Sequence, residues 1–177
     1  MSNKIWEFTG ETKIHFGITL RRIRAAVEFK LKCDIVIAKG ELGGWIEKES
    51  NLSGNAWVSG DARVSGNARV YGNACVYGNA CVYGDAWVSG NADVYGNAEV
   101  YGNAWVKSSK DYCVYKNTWS SFRWFTYTKS NKMWAVGCFY GTGSELIAKA
   151  YKDSEKSGKC YEAIVKAQEA IEKAMEE

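Results

Sequence analysis

The chain has 177 residues and a formal net charge of +3, with eight Trp, eleven Tyr, six Cys and no proline. That length suits one domain or a small repeat domain with caps, and the missing proline excludes a proline-rich linker. Residues 1–45 carry eight basic and five acidic groups, 46–106 three and six, and 107–177 twelve and nine. Neither the basic stripe of a duplex-binding protein nor the acidity of a DNA mimic is present, and no stretch approaches the roughly 20 apolar residues of a membrane helix.

Residues 1–45 read as an N-terminal cap. Ile14–Phe29 is apolar-rich with Arg21, Arg22 and Arg24 interleaved and is compatible with helix or strand; strands around Ile5–Thr9 and Thr19–Ala25 are the expectation. Lys39-Gly40-Glu41-Leu42-Gly43-Gly44-Trp45 is a glycine-rich entry into the segment that opens at Ile46. The start, Met1-Ser2-Asn3-Lys4, leads into Ile5-Trp6-Glu7-Phe8 without an apolar leader run. Cys33, Cys75, Cys81, Cys113, Cys138 and Cys160 include no CxxC pair, which gives a zinc or redox motif no support. Reduced thiols in a cytoplasm are the expectation.

Residues 46–106 are a six-residue repeat. Leu52-Ser53-Gly54-Asn55-Ala56-Trp57 is followed in register by units opening at Val58, Val64, Val70, Val76, Val82, Val88, Val94 and Val100, and Val106 opens a unit that decays. Ile46, with Ser50 four positions on, fits the same frame. An aliphatic residue every sixth position, with Ala four residues later, marks one short strand and one corner. Three such sides close a coil of 18 residues, so each Val stacks on the Val of the next coil about 4.8 Å away. The whole repeat makes a little over three coils, roughly 16 Å of stack. Gly-Asn and Gly-Asp at the corners are expected to supply positive-φ backbone. The fold class is therefore mainly β, a single-stranded parallel β-helix whose open ends need covering.

Residues 107–177 read as a C-terminal α+β cap or interaction domain. Phe122–Thr128 is aromatic and β-prone, Lys129–Lys132 a hairpin turn and Met133–Tyr140 the return strand. A helix is expected from Gly143-Ser144 with Ser144 as its N-cap, and a second from about Lys159 to the C-terminus. On the latter, Tyr161, Ile164, Val165, Gln168, Ile171 and Met175 form one face, expected to pack on its own domain, with a partner-binding helix as the alternative.

The hexads resemble the left-handed hexapeptide β-helix family over about a third of the chain, and the left hand is what that resemblance implies. Three further stretches, Trp6–Thr12, Lys39–Glu47 and Ala135–Gly141, resemble small phage and prophage hexapeptide-repeat proteins that carry labels such as transferase or polymer-forming protein. That likeness implies a phage-encoded protein working in the bacterial cytoplasm and implies little about activity.

Hexapeptide acyltransferases use acetyl-CoA and a histidine base. The single histidine, His15, lies in the N-terminal cap outside every coil. One histidine cannot supply the three zinc ligands of the related carbonic anhydrase form. GxSxG, P-loop and HExxH motifs are missing, and nothing adjacent in sequence would activate Cys75 or Cys81.

Positions flanking each inward Val point outward. At 18 residues per coil they form columns: Arg69, Trp87 and Trp105; Trp57, Cys75 and Asp93; Arg63, Cys81 and Glu99; Ser59, Tyr77 and Tyr95; Ser65, Tyr83 and Tyr101. Such ladders can stabilise the coil, form a subunit interface or stack on a ligand. The acyltransferase likeness implies trimers packed side by side. The reading is a non-catalytic, oligomeric, phage-encoded inhibitor of a host factor, acting by occluding a protein or sequestering a nucleotide signal, with no cofactor or metal. Its surface would be Arg69, Trp57, Trp87, Trp105, Tyr77, Tyr83, Tyr95 and Tyr101. An acetyl-CoA-dependent acyltransferase and a virion-assembly component are the alternatives.

Overall fold

A computed structural model describes residues 4–176, without the side chains of Cys33 and Glu176. The thiol of Cys33 and the last residue of the C-terminal helix expected from the sequence thus lie outside the described residues. The chain forms two compact units, one of residues 1–112 with 128–131 and one of 113–127 with 132–177.

The first unit begins with a hairpin of β1 (Trp6–His15) and β2 (Ile18–Ala25), both longer than the sequence suggests. Small strands β3 (Phe29–Lys30) and β4 (Val36–Ile37) pair antiparallel, and β5 (Leu42–Ile46) leads into the repeat. Two-residue strands then recur at every hexad. They are β6 (Trp57–Val58), β7 (Arg63–Val64), β8 (Arg69–Val70), β9 (Cys75–Val76), β10 (Cys81–Val82), β11 (Trp87–Val88), β12 (Asp93–Val94), β13 (Glu99–Val100) and β14 (Trp105–Val106).

These strands stack in three parallel sheets, giving a β-solenoid of about three turns. One face is β6-β9-β12, a second β8-β11-β14, and the third runs β5-β7-β10-β13 with β2 and β1 added at its outer edge. The register is the expected 18 residues: Val58 faces Val76 and Val94, Ile46 faces Val64, and Val88 lies between Val70 and Val106. Backbone bonds such as Trp57 N to Ala74 O, 3.0 Å, and Ser59 N to Val76 O, 2.9 Å, tie each coil to the next. Every inward Val and every repeat Ala from Ala56 to Ala104 is fully buried. The coil therefore has a solid Val/Ala core, in which fully burying one Val contributes on the order of 1.5–3 kcal/mol.

The corners differ from the expectation in one respect. Each corner Gly has positive φ, as at Gly66 (φ 66°), but the Asn or Asp after it does not. On two of the three corner columns their side chains form ladders between coils. Asn55 Nδ2 donates to Asn73 Oδ1 (3.4 Å), Asn73 to Asn91 (3.3 Å) and Asn67 to Asp85 (3.1 Å). At the first coil, buried Asn51 donates to the carbonyls of Ala68 (2.8 Å) and Gly66 (3.1 Å), satisfying backbone that would otherwise be an open end.

The second unit carries the sheet β15-β16-β17-β18, formed by β15 (Tyr112–Lys116), β16 (Trp124–Thr128), β17 (Met133–Val136) and β18 (Phe139–Gly141). The return strand expected as one piece is broken by Gly137 at φ 58°, so β17 and β18 pair as a second hairpin. Helix α1 (Gly143–Asp153) is capped by Thr142, not Ser144: Thr142 Oγ1 accepts from Glu145 N, and the Glu145 carboxylate accepts from Thr142 N. That is a capping box, in which both partners must stand three residues apart, and only Thr142 has Glu at that spacing. Helix α2 (Glu155–Glu176) begins four residues earlier than expected. Its Val165 joins Phe125, Tyr127, Trp134, Val136 and Leu146 in the core, whereas Ile171 and Met175, placed on the same face, are exposed. No helix among the described residues is long and apolar enough to cross a membrane.

Candidate binding surface

The outer side chains of the coil follow from the same period as its core. On the β8-β11-β14 face, Arg69, Trp87 and Trp105 lie in one column, each paired with the next in register. The two indoles stack with centroids 5.4 Å apart and planes 11° apart. The Arg69 guanidinium lies 5.7 Å from the Trp87 centroid and the Lys107 ammonium 5.5 Å from that of Trp105. Tyr71 meets the Trp87 ring edge-on at 6.1 Å. Trp105 is 49% exposed. The result is a flat aromatic strip with a cation at each end.

The tyrosine columns belong to the other two faces. Tyr77 and Tyr95 stack at 5.3 Å, and Tyr112 meets Tyr95 edge-on at 6.5 Å while donating to the Asp93 carbonyl (3.0 Å). Burial raises the Tyr112 phenol, and burial with the Asp93 carboxylate raises Tyr77. Tyr83 and Tyr101 stack at 4.4 Å. The predicted residues thus form separate columns on different faces, not one site. Trp57 departs furthest from its expected role: it is 1% exposed, with Phe29 of β3 against its ring at 5.3 Å. A cap residue covers it, and no sequence period links positions 29 and 57.

Reactive groups gather on the third face. Cys81 Sγ accepts from Arg63 Nε (3.3 Å) and Nη2 (3.1 Å). This arginine is not adjacent in sequence, but it is the residue that the 18-residue column sets beside Cys81. Burial nevertheless raises the Cys81 thiol, outweighing the lowering by Arg63. His15 is half-buried at the end of β1, and burial, then Arg63 and Lys13, lowers its pKa. Its ring packs on Phe16 at 4.3 Å. Lys13 lies over the Trp45 ring at 4.1 Å. Among the described residues no group of three or more His, Cys, Asp or Glu could hold a metal ion.

Sequence reading missed Lys107 and Tyr71, which complete the tryptophan strip. Lys107 follows Val106 as Tyr71 follows Val70, so the 18-residue register was a signal that could have found both. Residues 62–77 and 74–90 match the YdcK Beta solenoid repeat family. This likeness covers the middle of the coil and supports a β-solenoid repeat there. No curated protein matches the chain.

Proposed function

We propose that this chain is a non-catalytic binding protein whose coil is an oligomerising rod, assembling as a homotrimer through the Trp87–Trp105 strip. As a phage product in the bacterial cytoplasm, it would inhibit a host factor by occluding a protein or sequestering a nucleotide signal. The observation that carries the binding role is the strip itself: two stacked indoles between Arg69 and Lys107, half in solvent, on a hydrogen-bonded backbone ladder. Trp and Arg are enriched at interface cores, and a rigid ladder presents them with little ordering cost on association.

Mass photometry of the wild type and a Trp87→Ala/Trp105→Ala variant tests the subunit contact. The expected result is a wild-type trimer and a folded monomeric variant. An unchanged mass would remove the strip from the subunit contact and leave it open to another partner. Pull-down from infected host lysate that recovers neither protein nor nucleotide would overturn the inhibitory role.

A further inference from the structure

The second unit contains a cavity of about 290 Å³ between its sheet and helices. Tyr127, Trp134 and Gln168 form its buried floor. Gln168 is 1% exposed, and its Oε1 accepts from the Tyr115 hydroxyl at 2.7 Å. Its Nε2 has no hydrogen-bond partner among the described residues. Turning the amide over would change which end is left over, without removing the deficit. A buried amide group is ordinarily satisfied on both sides, so this one marks a place for a polar group from elsewhere.

Lys132, Lys173, Glu169 and Glu172 also line the cavity. None of the ion pairs among the described residues joins one of these lysines to one of these glutamates. Glu172 instead accepts from the Tyr127 hydroxyl at 3.0 Å. Charges of both signs thus border one cavity, Lys132, Glu169 and Lys173 from exposed positions and Glu172 from a half-buried one.

Lys132 adds a second observation. It closes the turn between β16 and β17 with φ 55°, a left-handed backbone that disfavours any residue with a Cβ and suits glycine. Phe16, Asp34 and Phe122 share this conformation, so the backbone itself gains from glycine at 132 and an exchange there removes the ammonium without straining the turn.

We propose that this cavity binds a small zwitterion of the free amino-acid class. Lys132, Lys173 and the Gln168 amide would take its carboxylate, and Glu169 and Glu172 its ammonium. The volume lies at the lower end of ligand pockets, near 300 Å³, which favours an amino acid over a nucleotide. The site lies within the second unit and stands independently of the coil's role.

The test is an amide NMR titration of the full chain with L-serine and L-glutamine, compared with acetate and ethylamine. Saturable shifts that include the Gln168 side-chain amide are expected. At least one of the two amino acids should bind at least about tenfold tighter than either half-ligand, because one molecule engages both charge sets. Lys132→Gly should raise the Tm by relieving the backbone and weaken amino-acid binding at least about fivefold. Equal binding of acetate and the amino acids would reduce the site to an anion site and overturn the proposal. No saturable shift, or a Lys132→Gly variant that binds as tightly as wild type, would overturn it as well.

Discussion

Val82 shows how much a single repeat position carries. It is fully buried between Val64 and Val100 in the stack, so Val82→Ala removes packing on both sides. A loss of about 2 kcal/mol is expected by chemical denaturation. Gly66 is constrained differently, by its positive φ and by the Gly84 carbonyl, 3.1 Å from where a Cβ would stand. Gly66→Ala should cost at least about 1–2 kcal/mol, since both the conformation and the space oppose it. At Cys81 the raised pKa means less thiolate at any given pH. Exposed Cys138 should therefore be alkylated by iodoacetamide first, with Cys81 lagging until the solution is more alkaline. Equal rates at neutral pH, read by peptide mass spectrometry, would contradict the raised pKa of this half-buried thiol.

At the scale of the element, α1 depends on its cap. Thr142→Ala removes the oxygen that accepts from Glu145 N and should destabilise the second unit by about 1 kcal/mol. Hydrogen bonds from Thr142 hold the Glu145 carboxyl below its ordinary range. The sign comes from linkage: the carboxylate favours the fold above its unfolded pKa, and that contribution is lost as pH falls through the depressed folded value. Acid titration followed by amide exchange should show the first turn of α1 loosening only well into the acid range. The same cap shows what a sequence can conceal. Ser144 is as good a capping residue as Thr142, and only the Glu three positions on separates them. The early start of α2 is of the same kind, since Glu155–Gly158 has no apolar period of its own.

For the whole molecule, the governing quantity is the 18-residue coil. Deleting residues 71–88 removes one full coil, returns every later strand to its own face and places Trp105 over Arg69. This variant should remain folded with a lower Tm, because repeat stacks lose stability roughly coil by coil. Deleting only residues 71–76 keeps the hexad pattern but shifts each later strand by one face, carrying both tryptophans off the Arg69 column. Circular dichroism and tryptophan fluorescence distinguish the two outcomes.

The repeat, its inward Val and Ala, the vertical columns and the stacked Trp and Tyr pairs all derive from the period, and the sequence by itself determined them. A translational repeat makes non-local contacts predictable, because residue n always meets residue n + 18. Outside the repeat that reason disappears. Only the tertiary structure decided that β1 and β2 extend one face of the coil and that Phe29 buries Trp57. It also decided that Gln168, read as part of an apolar helix stripe, forms the floor of a charged cavity. Those contacts join segments without a common period, and packing and desolvation, which no local pattern encodes, choose among them.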